Sequence, residues 1–161
     1  MSHLTRILFV CTGNICRSPT AEGVARAMAS RRDVGANFEF DSCGIEEFHV
    51  GDPPDRRACE RARLRGYDLS ALRARAIRPQ DFQEFDLILA MDRGHMRALE
   101  RMCPIKYRPK LKLFLSYSKE FAGRDVPDPY YGENKHFDRV LTMCEDAVPA
   151  LLDASTEPSI E

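Results

Sequence analysis

The stretch Ile7-Leu8-Phe9-Val10-Cys11-Thr12-Gly13-Asn14-Ile15-Cys16-Arg17-Ser18-Pro19 decides how this chain is read. Its four leading residues form an unbroken apolar run and, with Arg6, predict a strand over 6–10 buried on both faces of a sheet. Ser18-Pro19 suits an N-cap and first helical position, opening a helix over 19–30 in which Ala21, Val24, Ala25 and Met28 recur at helical spacing. The tight segment between them gathers backbone N–H groups around one point in the field of a helix N-terminus, which makes a nest for a phosphate dianion. Gly13 is expected to take dihedral angles that a side chain obstructs, and Asn14 to tolerate a left-handed conformation.

Two side chains give that nest a chemistry. Arg17 supplies a planar fork that can hold two phosphate oxygens and stays charged at any working pH. Cys11 stands at the bottom of the positive cup, where the thiolate rather than the thiol is favoured, and an inward Ser18 hydroxyl adds a hydrogen bond to it. Nucleophile and cradle together point to phosphoryl transfer. The leaving oxygen then needs a proton, and Asp125-Val126-Pro127-Asp128-Pro129-Tyr130-Tyr131 offers Asp128, stiffened between two prolines. Tyr130 and Tyr131 are expected to wall a slot for an aromatic substrate.

Outward from there, strands alternate with helices. Phe38 to Ser42 and Asp86 to Met91 read as strands and Lys112 to Leu115 as a fourth. Pro54 to Arg65, closed by Gly66, Arg93 to Met102 and Asn134 to Leu152 read as helices, with a short turn over 78–82. Gly44 to Pro54 and Gly123 to Gly132 read as loops. The pattern predicts an α/β fold: a parallel sheet with helices on both faces, one domain over 1–161, and a frayed tail from about residue 154.

Composition narrows the classes. A formal net charge of −1 asks for neither nucleic acid nor an anionic membrane surface. The leading apolar run is too short for an export signal, so a cytoplasmic location is expected and the six cysteines read as reduced thiols. No C-x-x-C pair occurs and the four histidines are scattered, so neither a metal nor another cofactor is expected; His49 and His95 read as surface residues. The arginine-rich stretches 56–65 and 73–78 read as solvated faces.

The C-x5-R segment Cys11–Arg17, the Ser-Pro after it and the distant Asp128-Pro129-Tyr130 together resemble the low-molecular-weight protein-tyrosine phosphatases, over most of the chain. That resemblance implies a four-stranded parallel sheet and two-step, metal-free hydrolysis of phosphotyrosine on Cys11, with Arg17 binding phosphate and Asp128 as acid, then base. It implies substrate contacts from Thr12, Gly13, Asn14, Ile15, Cys16, Ser18, Phe48, Tyr130 and Tyr131, and a reversible Cys11–Cys16 disulfide. It further implies loop support from Ser42 and Asp92, a phosphotyrosine protein such as a tyrosine kinase as partner, and a monomer or weak homo-oligomer. Where relatives carry a histidine that braces the loop asparagine this chain has Leu72, so Asn14 needs another partner. An arsenate reductase lacks its thiol relay here, with only Cys103 in the comparable region. Ile15 favours a flat ring over phosphoarginine, and a silent phosphate binder has no use for Asp128.

Overall fold

The computed structural model describes residues 4–156. Four strands, β1 (Thr5–Cys11), β2 (Phe38–Gly44), β3 (Leu87–Ala90) and β4 (Leu111–Leu113), form one sheet in the order β2-β1-β3-β4, parallel throughout. The helices are α1 (Arg17–Arg31), α2 (Arg56–Leu64), α3 (Pro79–Glu84), α4 (Arg93–Met102) and α5 (Asn134–Thr156). Alternation along β1 divides the core. Ile7, Phe9 and Cys11 face the layer of α1, α2 and α5, while Leu8 and Val10 face Phe82, Phe85, Leu99 and Cys103 of the α3–α4 side. Both faces of β1 are therefore fully covered, which is why its sequence shows no polar alternation. The chain reverses its winding direction between β1 and β3, and ligands bind outside the carboxyl ends of strands at such a switch. The Cys11 loop stands there.

Element boundaries differ from the sequence reading at several ends. Helix α1 begins at Arg17, two residues early, and its N-cap is Cys16 rather than Ser18. No side chain caps it, because the Ser18 hydroxyl is turned to Cys11 instead. β4 ends at Leu113, and Phe114–Tyr117 winds into a 3-10 turn that sets the Phe114 ring edge-on to Phe9 at 5.5 Å. The last helix runs to Thr156 and takes in residues 154–156 of the expected tail, the remainder of which lies outside the described residues.

The arginine stretches are only in part the solvated faces expected of them: Arg56, Arg63, Arg73 and Arg78 are exposed, whereas Arg57, Arg61, Arg65 and Arg75 are half-buried. Arg61 donates to both carboxylate oxygens of Asp138, and Arg65 pairs with Glu145, locking α2 onto α5. Arg75 bridges Asp41 on β2 and the fully buried Asp81 on α3. Runs of charge hide such partners, because the partners lie far away in sequence. Breaking a buried pair from one side leaves an uncompensated charge. Arg75→Ala should therefore cost about 3 kcal/mol in urea unfolding. Asp41→Ala, on the half-exposed arm of the same bridge, should cost under about 1 kcal/mol. Equal losses would contradict this account of the bridge.

Candidate active site

The loop between β1 and α1 is shaped by where its carbonyls go. Cys11 O accepts from Ile45 N at 2.9 Å, Thr12 O from Glu46 N at 2.9 Å and Ile15 O from Asp55 N at 2.7 Å. With the carbonyls tied outward to the 44–55 segment, and no side chain capping α1, the N–H edge of the loop is left to an anion. Asn14 takes the left-handed conformation at φ 58°, whereas Gly13 does not. Gly13 leaves room for the ring of His49, whose Cδ2 would lie 3.0 Å from a Cβ there and would have to shift slightly. Gly44 is needed more: its Cβ would lie 2.7 Å from the Thr12 carbonyl oxygen. Nothing local in the sequence marks Gly44, because its constraint comes from a loop thirty residues earlier.

Asn14 is buried and fully engaged. Its Nδ2 donates to Ser18 Oγ at 2.8 Å and Ser42 Oγ at 2.9 Å, and its Oδ1 accepts the Arg75 backbone N–H at 3.0 Å. The Arg75 amide thus bonds the asparagine in a chain with Leu72 where relatives have histidine, and Leu72 packs on the core. Ser42 donates in turn to Glu22 Oε1 at 2.6 Å, and burial pushes the Glu22 carboxyl above its ordinary range. Ser18 Oγ lies 3.0 Å from Cys11 Sγ and 3.4 Å from the Cys43 carbonyl oxygen, so the sulfur is the nearer of two acceptors for its proton.

Arg17 is 4% exposed. Its Nη1 donates to Asp92 Oδ2 at 2.8 Å and to the Val126 carbonyl at 3.0 Å, and its Nη2 lies 3.9 Å from Asp128 Oδ2. Burial works against the Asp92 carboxylate, but the His95 N–H and Arg17 bring it below the usual carboxylate range. The same aspartate caps α4 by accepting from His95 N at 2.8 Å.

Cys11, Thr12, Gly13, Ile15, Cys16, Arg17, Phe48, His49, Asp128, Tyr130 and Tyr131 line a pocket of about 310 Å³. Asn14 and Ser18 stand behind it. The pocket unites segments that begin at residues 11, 48 and 128, and Asp128 is half-exposed at its mouth. Tyr130 and Tyr131 meet edge to face with centroids 4.9 Å apart, and Phe48 is exposed across from them at the rim. The loop of Asp128 is tethered from α2, where Arg57 donates to the carbonyls of Tyr130 at 2.8 Å and Gly132 at 3.1 Å. Cys16 is buried, and burial together with Asp55 pushes its thiol up, so it stays protonated beside the pocket.

Two histidines depart from the surface placement expected of them. His49 lines the pocket over Gly13, and His95 is buried against Thr12 and Arg17. Single histidines on exposed-looking segments gave no sign of this. Among the described residues, no group of three His, Cys, Asp or Glu side chains is placed to hold a metal ion, and no helix is long and apolar enough to cross a membrane.

Comparison with known proteins matches residues 6–158 to the family model of low molecular weight phosphotyrosine protein phosphatase. A Synechocystis relative is 46% identical over 148 residues, 91% of this chain and 94% of that protein. A low molecular weight protein-tyrosine-phosphatase of Streptomyces coelicolor is 43% identical over 155 residues, 94% of each chain. The crystal structure of a protein tyrosine phosphatase from Entamoeba histolytica, with Hepes in its active site, superposes with a TM-score of 0.90 at 36% identity, covering 92% of this chain and 95% of that one.

The packing of Gly44 against the loop yields a direct test. Gly44→Ala should push the Thr12 peptide out of place and weaken inorganic phosphate binding, measured by calorimetry, on the order of a hundredfold, the scale on which a 1 Å misplacement is felt. Unchanged affinity in a folded variant would show that the loop tolerates the displacement.

Proposed function

The chain belongs to the low molecular weight phosphotyrosine protein phosphatase family, and from that premise we propose that it hydrolyses phosphotyrosine and aryl phosphates on Cys11. The observation that carries this reading is the convergence of Cys11, Arg17 and Asp128 on one pocket. The Cys11 thiolate attacks phosphorus while Arg17 and the loop N–H groups hold the equatorial oxygens. The P–O bond breaks, and Asp128 gives its proton to the departing tyrosine oxygen. Water then attacks the phosphocysteine with Asp128 taking its proton. The S–P bond breaks, releasing inorganic phosphate and the thiolate.

Phe48, Ile15, Tyr130 and Tyr131 around the mouth suit a flat ring, which supports phosphotyrosine over phosphoarginine. Cys59, Cys103 and Cys144 are not among the pocket-lining residues, and this weighs against an arsenate reductase relay. The substrate is read as a phosphotyrosine-bearing protein of the cytoplasm, a tyrosine kinase being the candidate, and the chain as a monomer or weak homo-oligomer. Cys16 is read as the resolving thiol: peroxide converts Cys11 to a sulfenic acid, and the Cys16 sulfur displaces water from it to form a disulfide that thiols reopen.

Three experiments test the reading. Wild type should hydrolyse p-nitrophenyl phosphate with a chelator present, and Cys11→Ser should not. Asp128→Asn should slow turnover by roughly a hundredfold or more, with phenyl phosphate, the poorer leaving group, hit harder than p-nitrophenyl phosphate; equal sensitivity would remove Asp128 as the acid. After mild peroxide, mass spectrometry should find Cys11 joined to Cys16, with activity restored by dithiothreitol. A Cys11 trapped as sulfinic acid instead would reject the protective pairing.

A further inference from the structure

One buried group beside the pocket has no part in the chemistry above. His95 is 6% exposed on α4. Its Nε2 lies 2.8 Å from Thr12 Oγ1 and 3.4 Å from Arg17 Nη2. Its Nδ1 is buried without a hydrogen-bond partner, and Asp92 Oδ1 sits 3.1 Å away but out of line. Guanidinium nitrogens only donate, so the Nε2 that faces Nη2 must present a lone pair. The ring proton then belongs on Nδ1, on the side of the Asp92 carboxylate. Asp92 and His95 thus divide Arg17 between them: the carboxylate takes Nη1, and the imidazole faces Nη2 together with the Thr12 hydroxyl.

We propose that His95 is a positioning residue for the hydrolysis assigned above, and that its neutral Nδ1–H imidazole aligns Thr12 and the Nη2 edge of Arg17 before phosphate arrives. This rests on the phosphatase reading and adds a part to it. An uncharged acceptor can hold Nη2 without neutralising Arg17, which a second carboxylate would do. The charged groups facing the ring are Arg17 from α1, Asp92 at the start of α4, and Asp125 and Asp128 from the loop before α5. Burial and then Arg17 lower its pKa to about 4, against the opposing pull of the three aspartates. Protonation would remove the acceptor and set a second positive charge against Arg17. The folded value lies below the ordinary 6.5, so the unfolded chain binds more protons between them. The stability that the neutral ring contributes is complete above that upper limit and is lost as pH falls toward the lower one.

The test reads the ring first and the site second. Long-range proton–nitrogen NMR of wild type should find His95 as the Nδ1–H tautomer, uncharged at pH 7 and still uncharged at pH 6, below its ordinary 6.5. Inhibition of p-nitrophenyl phosphate hydrolysis by inorganic phosphate is then compared in wild type, His95→Gln and His95→Leu. The leucine variant should raise the phosphate Ki and lower kcat/KM about tenfold or more, as for loss of a hydrogen bond to a charged group. The glutamine variant, which keeps an acceptor, should stay within about threefold. Ki does not depend on the amount of folded enzyme, so a merely structural role would leave it unmoved. An Nε2–H tautomer or an imidazolium at pH 6 would overturn the proposal, as would an unchanged Ki in folded His95→Leu. If the leucine variant fails to fold, the wild-type spectrum still decides. Absence of any hydrolysis in wild type would count against the phosphatase reading, whereas the tautomer is measured independently of it.

Discussion

The burial of Arg17 is the constraint around which the rest is arranged. A guanidinium 4% exposed cannot rest on solvent, and its charge has to be met by partners fixed in advance. Those partners come from the end of β3, through Asp92, and from the loop before α5, through the Val126 carbonyl. One side chain on the first helix therefore sets where two later segments must lie. Asp128 is two residues beyond Val126, so the carboxylate proposed as proton donor is placed by the same bond that orients the Arg17 guanidinium.

Around that ion pair the Cys11 loop is held by a second, largely uncharged network. Asn14 joins Ser18, Ser42 and the Arg75 amide, and the carbonyls of the loop are tied to the segment after β2. A backbone amide stays in place only if its own chain segment is fixed. Here the Arg75 side chain, clamped between Asp41 and Asp81, does the fixing. The leucine at position 72 packs on the core, and Asn14 keeps three hydrogen bonds without any from its side chain. Stiffness at this loop is distributed over geometry that a single substitution does not reveal.

The central strand, the Cys11 loop and α1 were legible because each carries its signal locally: an apolar run, a strand-to-helix turn, a helical period. The parallel sheet with helices on both faces followed from the alternation. What stayed hidden depends on partners remote in sequence. His95 sits on an amphipathic helix where a histidine reads as solvated, and only the approach of Thr12 across the sheet switch buries it. Arg57, Arg61, Arg65 and Arg75 lie in charge runs whose partners are on other elements. Gly44 answers a close backbone approach, and β4 is only three residues long, too short for periodicity to bound. Ser18 was misplaced as a helix cap because its hydroxyl is committed to Cys11, so local capping preference yielded to the site.

The spread of the site along the chain has a consequence for how the protein comes into being. A ribosome delivers the Cys11 loop well before Asp92 and Val126, the residues that hold Arg17. Helix α5, which covers the Phe9 face of the sheet, comes last of all. Until then the Cys11 loop has no fixed guanidinium beside it, and β1 has one face uncovered. Cys11 gains its full setting only once those later segments have met Arg17 and closed the core around it.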